Sequence, residues 1–264
     1  MRRVNGIERI AHAFATSGKR AALMPYLMGG FPDLETSLAI GEAYADGGAD
    51  LVELGVPFSD PLADGPVIHA AGTKALAAGV TVDGVLELAK RLSPRFPVVV
   101  MTYSNLVLAR TPEGFADALA EAGASGLIVP DLPLEEAPAI LGACDERGIA
   151  LVPLVAPTTP EERLRAIGER ARGFVYTVSV TGTTGERRSA EDAYAAVVAR
   201  AKAHMDVPVA LGFGIGTPEQ ASAAADAGAD GVIVGSRLVR EAGEAGDPPA
   251  AVRDVVRSMA EALR

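Results

Sequence analysis

The chain reads as a single α/β domain spanning residues 1–264: a closed parallel (β/α)8 TIM barrel preceded by an extra N-terminal helix. Three observations predict this. First, Gly48-Ala49-Asp50-Leu51-Val52-Glu53, Gly123-Ala124-Ser125-Gly126-Leu127-Ile128 and Gly228-Ala229-Asp230-Gly231-Val232-Ile233 echo one another. Each closes an Ala-rich helical stretch with Gly and enters an apolar strand. Second, their glycines stand 75 and then 105 residues apart, close to two and three copies of a unit of roughly 36 residues. Third, eight short β-prone runs alternate with helical patterns along the whole chain, the succession that a closed parallel barrel requires.

The elements follow in order. Ile7, Ile10, Ala11 and Phe14 share one face of the first helix, which is expected to close the bottom of the barrel. The strand candidates are Ala22–Met28, Asp50–Gly55, Pro97–Tyr103, Gly126–Asp131, Ala150–Ala156, Gly173–Ser179, Pro208–Gly214 and Gly231–Gly235. Several intervening helices announce their starts. In Thr111-Pro112-Glu113, Thr159-Pro160-Glu161-Glu162 and Thr217-Pro218-Glu219-Gln220, Thr is expected to cap and Pro to occupy the first turn. The acidic residues then meet the positive end of the helix. An open doubly wound sheet explains the alternation equally well, but it has no need of eight units in strict succession.

Composition narrows the function. Net charge is -10, with 34 Asp and Glu against 24 Lys and Arg, which argues against a nucleic-acid surface. No apolar run approaches the ~18–20 residues that cross a bilayer. Met1-Arg2-Arg3 leads into a polar amphipathic stretch, not a hydrophobic signal region. The single Cys144 cannot form an internal disulfide. Together these features point to the cytoplasm.

The chemistry concentrates in Glu53-Leu-Gly-Val-Pro-Phe-Ser-Asp-Pro-Leu-Ala-Asp64-Gly-Pro. Glu53 falls inside a short apolar strand, where desolvation of an unpaired carboxylate costs several kcal/mol or forces its pKa upward. Either a core Arg neutralises it, or it is a carboxyl group poised to exchange protons near neutral pH. Asp64 ends a loop punctuated by Pro and Gly. In a barrel, strand ends and the loops after them converge on one mouth. Tyr26, Glu53, Asp64, Tyr103, Asn105, Leu127, Asp131, Tyr176 and Phe213 are expected there. The aromatic residues and Leu127 suggest a largely apolar small-molecule pocket. Glycine clusters follow the sixth strand (Thr183-Thr184-Gly185), the seventh (Gly212-Phe213-Gly214-Ile215) and the eighth (Gly235-Ser236). The loops after strands seven and eight are the usual phosphate site of such barrels. The seventh-strand cluster contains no Lys or Arg, while Arg237 follows Ser236, so phosphate is expected to be held mainly by backbone N–H groups and a helix dipole.

What is missing from the mouth matters equally. Lys19, Lys74, Lys90 and Lys202 lie in helices or their approaches, so a Schiff-base mechanism is not expected. His12, His69 and His204 also fall in helical segments, and no pair has metal-ligand spacing. No base is placed to activate Ser59 or Ser104.

The run from Glu53 to Pro66, and the chain more broadly from Pro25-Tyr26 to Val234-Gly235-Ser236, resembles the tryptophan synthase alpha subunit family. The resemblance implies a catalytic Glu on the second strand, Glu53, and a catalytic Asp on the following loop, Asp64. It implies retro-aldol cleavage of indole-3-glycerol phosphate to indole and D-glyceraldehyde 3-phosphate, with the indole ring taking up the electrons of the broken bond. Tyr176, Thr184 and Phe213 match pocket positions, while Gly185, Gly214, Gly235 and Ser236 match phosphate positions beside Ile215. Gly182 and Gly185 flank the sixth loop and are suited to act as hinges. Pro57 and Asp60 match positions that face a beta subunit. An alpha2-beta2 tetramer is implied, with pyridoxal phosphate in the beta subunit and no cofactor or metal in this chain. Two other readings compete. An isomerase using Glu53 as base would need a His or Lys electrophile at a strand end. A non-catalytic indole-binding subunit would have no use for a costly buried carboxylate.

Overall fold

The computed structural model describes residues 5–178, 190–212 and 214–264. Its first half comprises α1 (Gly6–Thr16), β1 (Ala22–Met28), α2 (Leu34–Gly47), β2 (Val52–Gly55), α3 (Pro66–Ala77), α4 (Val82–Leu92), β3 (Val98–Met101), α5 (Ser104–Leu108), α6 (Pro112–Glu121) and β4 (Gly126–Ile128). The second half comprises α7 (Pro138–Glu146), β5 (Ala150–Val152), β6 (Leu154–Val155), α8 (Glu161–Gly168), β7 (Val175–Val178), α9 (Ala190–Lys202), β8 (Val209–Gly212), α10 (Pro218–Asp226), β9 (Gly231–Val234), α11 (Ser236–Glu244) and α12 (Pro248–Ala262). Every pairing is parallel, in the order β5-β4-β3-β2-β1-β9-β8-β7-β6.

The two outermost strands of that order are one stave. The expected run Ala150–Ala156 is divided at Pro153, which has no N–H to donate to a ladder. Its carbonyl still accepts from Tyr176 N–H at 3.0 Å, so β5 holds β4, β6 holds β7, and the ring closes through the chain itself. Other strands end earlier than expected because their last residues turn to different work. Asp131 leaves the sheet line after β4 and accepts from the Ser104 N–H at 2.9 Å and the Ser104 hydroxyl at 2.6 Å, fastening the start of α5. Asp131 therefore holds a helix and does not line the mouth cavity.

The repeated Gly-Ala-Asp segment has a repeated structural purpose. Gly48 terminates α2 in the left-handed conformation, φ 98°, which glycine adopts without strain. Asp50 then accepts from Leu23 N–H at 2.7 Å and pairs with Lys19 at 2.8 Å. In the last copy, Asp230 accepts from Val209 N–H at 2.8 Å and pairs with Lys202 at 2.7 Å. Both aspartates anchor the start of the neighbouring strand, and these two lysines are held there, at the opposite end from the mouth.

Helix starts follow the expected chemistry with one exception. Thr111 and Thr217 cap α6 and α10, and Thr217 forms a reciprocal capping box with Gln220, an interaction whose loss costs about 1 kcal/mol. Thr159 does not cap α8. Its hydroxyl accepts from Ala156 N–H at 3.0 Å, closing the preceding turn, and Pro160 takes the cap position without a side-chain bond.

Burial divides the interior into two layers, as period-2 alternation demands. An outer layer packs the sheet against the helices. Inside the barrel lie Ala22, Met24, Leu51, Val99, Ile128, Val152, Phe174, Ala210 and Ile233. Ile10 is fully buried against them, with Ile7 and Phe14 alongside, so α1 plugs the bottom. Ala11 was expected on that face but is exposed, and Ala13 packs there instead.

Candidate active site

The inward column that begins with Ala22 and Met24 on β1 continues to Tyr26, and Leu51 continues to Glu53 on β2. With the bottom filled by α1, the upper part of the barrel is left as a cavity of about 490 Å³, within the size range of small-molecule sites. Glu53 and Asp64 both line it, as do Tyr26, Tyr176, Met101, Ile128, Leu154 and Ile233.

Glu53 is 2% exposed. No guanidinium or ammonium among the described residues neutralises it, so the alternative of a core ion pair does not hold. Burial, and secondarily the charge of Asp64, pushes its carboxyl up to about 8. It is therefore a neutral acid at pH 7 that can also ionise within the working range of a proton shuttle. Asp64 comes from the loop between β2 and α3. Burial raises its pKa, opposed by a hydrogen bond from Tyr103 and by the nearby His69. Tyr103 Oη donates to Asp64 Oδ1 at 3.1 Å and accepts from Ala63 N–H at 3.1 Å, while its ring stacks on Phe58 at 5.1 Å. Tyr103, expected from the sequence in the cavity wall, is not among the residues that line it and is instead a clasp on the loop that carries Asp64.

Two tyrosines line the cavity through the same construction. Tyr26 pairs in register with Glu53, and its hydroxyl overlies Gly55, two residues farther along β2. Tyr176 pairs with Ala210, and its hydroxyl overlies Gly212, two residues farther along β8. A Cβ at Gly55 would stand 2.0 Å from Tyr26 Oη, and one at Gly212 would stand 2.4 Å from Tyr176 Oη. Gly212 therefore makes room for an aromatic ring, a purpose different from the phosphate approach its sequence context suggests. Gly212→Ala is expected to drive the Tyr176 ring into the cavity, costing about 1–3 kcal/mol of stability through overpacking. Denaturant titration and substrate titration together check this, with KM rising about tenfold or more.

The far end of the cavity is made by Gly214, Ile215, Gly216 and Thr217 after β8, and by Gly235, Ser236, Arg237 and Arg240 at the start of α11. The N–H groups of Gly216 and Thr217 already donate to Gln220 Oε1, at 2.8 and 3.1 Å. The first turn of α11 keeps orphan N–H groups which, with the helix dipole, favour negative charge. Arg237 pairs with Glu241. Arg240, one turn along, was not foreseen, although its i,i+3 spacing from Arg237 signals a shared face.

Several expected residues lie elsewhere. Leu127 belongs to the outer layer, packed towards the helices, and Ile128 takes the inward place. The error is one residue of strand register, which exchanges the two faces. Pro57 is buried within the chain, so it presents no surface to a partner, whereas Asp60 is exposed. Leu62, not singled out from the sequence, is 86% exposed on the same loop. Thr184, Gly185 and Phe213 lie outside the described residues, as do Gly182, expected as a hinge, and the expected end of the sixth strand at Ser179. Among the described residues, no three His, Cys, Asp or Glu side chains are grouped to hold a metal ion, and no helix is long and apolar enough to cross a membrane.

A parallel (β/α)8 barrel whose apolar cavity holds a buried acid, a second carboxylate and the first turn of a helix at its far end defines a class: TIM-barrel proteins equipped for acid–base chemistry. The comparisons specify the family. Residues 13–263 match the family model described as tryptophan synthase alpha chain. The tryptophan synthase alpha chain of Gloeobacter violaceus is 51% identical over 236 residues, 88% of this chain and 86% of the relative. That of Prochlorococcus marinus is 52% identical over 223 residues, 84% of this chain and 81% of the relative. The structure of Mycobacterium tuberculosis tryptophan synthase superposes with a TM-score of 0.89 at 40% identity, covering 97% of this chain and 98% of that one. Tryptophan synthase subunit alpha from Legionella pneumophila gives 0.89 at 36% identity, covering 98% of each chain. The chain belongs to the tryptophan synthase alpha chain family.

Proposed function

We propose that Glu53 and Asp64 carry out the reaction of this family, cleavage of indole-3-glycerol phosphate to indole and D-glyceraldehyde 3-phosphate. The chain is a lyase of tryptophan biosynthesis, and the observation that carries the assignment of roles is Glu53, a carboxyl held up to about 8 inside the cavity. In its neutral form Glu53 protonates C3 of the indole ring. The resulting Glu53 carboxylate then takes the proton of the side-chain hydroxyl as the C3–side-chain bond breaks, so the protons balance. The electron pair of that bond returns to the ring and restores its aromaticity, and the side chain leaves as the aldehyde. Asp64 accepts the ring N–H and stabilises the positive charge that develops there. Tyr26, Tyr176 and Ile128 enclose the ring. Gly214, Ile215, Gly235 and Ser236 bind the phosphate, joined on this reading by Gly185. Thr184 and Phe213 complete the pocket.

The chain works in the cytoplasm without a cofactor of its own, as one domain, joined to a beta subunit that holds pyridoxal phosphate in an alpha2-beta2 assembly. Asp60 and the exposed Leu62 support a contact surface at the mouth. One assay tests the whole reading: purified chain supplied with indole-3-glycerol phosphate releases free indole slowly, and faster with the beta subunit added. No indole in either case would refute it.

A further inference from the structure

Among the described residues, the hydroxyl of Tyr26 has no good partner. The residue is 3% exposed, and among the described residues its Oη reaches only the thioether of Met28, at 4.0 Å, a weak acceptor. Phenylalanine would fill the same space without burying an unpaired polar group. The geometry shows where that hydroxyl is aimed. Tyr26 lines the mouth cavity. Its backbone stands beside Glu53 on the adjoining strand, and its ring rises over Gly55, beyond Glu53 in the direction of the loop that carries Asp64. Burial and the charges of Asp64 and Glu53 all hold the phenol protonated. Among the described residues it is a donor with only a weak acceptor, on the wall of the cavity that both carboxylates line.

Building on the roles given above to Glu53 and Asp64, we propose that Tyr26 is a third catalytic residue, whose hydroxyl donates a hydrogen bond to the reacting oxygen of the substrate side chain. That oxygen begins as a hydroxyl, gives its proton to Glu53, and becomes the aldehyde carbonyl as the carbon–carbon bond breaks. Negative charge grows on it between those two states, and a fixed donor in a water-poor cavity favours that moment over the ground state. Tyr26 keeps its own proton throughout, so the exchange between Glu53, ring carbon and side-chain oxygen still balances. A substrate oxygen also supplies a better partner than the Met28 thioether, the one that the described residues offer.

The test compares the full chain with Tyr26→Phe on indole-3-glycerol phosphate, and measures affinity for 3-(indol-3-yl)propyl phosphate, which has no side-chain hydroxyl. Expected are a kcat about 10–100-fold lower, a KM within about threefold, equal affinity for the deoxygenated analogue, and a denaturation midpoint unchanged or higher. Equal kcat in the two proteins would overturn the role of Tyr26 alone. A fall in kcat accompanied by weaker analogue binding or lower stability would also overturn it, since that pattern marks a wall residue. Failure of the parent chain to release indole would overturn the underlying reading as well.

Discussion

Glu53→Gln is expected to lower kcat by about three orders of magnitude or more, the upper part of the range for loss of an acid–base group, with substrate affinity nearly unchanged. Glutamine preserves size and position in the barrel column but can neither give nor take the proton. Stability carries a second signature. Below about 4.5 the group is protonated folded or unfolded, whereas between 4.5 and about 8 only the folded chain keeps the proton. Folding stability therefore falls as pH rises through that window, by at most about 1.4 kcal/mol per pH unit from this group. Asp64, whose pKa is also raised by burial, acts in the same direction. Glu53→Gln should remove its share of the slope, so the variant gains on the parent in denaturant midpoint between pH 5 and pH 8. A variant that turned over normally would dismiss Glu53 as the acid.

Asp64→Asn is expected to reduce kcat about 10²–10³-fold, the magnitude typical of losing one preorganised electrostatic contact. The amide is isosteric and its oxygen can still accept from Tyr103, so the clasp on the loop survives. What vanishes is the negative charge that the proposed mechanism sets against the ring nitrogen. Because the carboxylate also raises the pKa of Glu53, the alkaline limb of the pH–rate profile should shift to lower pH in this variant. A kcat loss below about threefold, with the alkaline limb unmoved, would show that Asp64 serves the loop and not the reaction.

The barrel was readable because its causes are local and repeated. Gly-Ala-Asp before a strand, Thr-Pro before a helix and an apolar face on α1 each express themselves within a few residues. Glu53 was readable for a related reason, since a charge in an apolar strand has few explanations. The misreadings have a different physical origin. Leu127 and Ile128 are adjacent, equally apolar residues on a three-residue strand, where composition cannot fix which one faces in. Gly212 looks like a ligand-approach glycine, yet its role, like that of Gly55, depends on a tyrosine that starts on the neighbouring strand. Tyr103, Asp131 and Thr159 each form hydrogen bonds set by how loops return, which no periodicity encodes. Pro57 matched a partner-facing position, but the fold of its loop buries it and presents Asp60 and Leu62 instead.

The protonation state of one side chain at neutral pH is the quantity on which this account turns. A carbon-13 carboxyl NMR titration of the labelled chain, with the Glu53 resonance identified by its loss in Glu53→Gln, measures it directly. The account predicts a midpoint near 8 for that resonance. A midpoint at the ordinary 4.5 would mean that Glu53 is already ionised at pH 7 and cannot be the acid that protonates the indole ring.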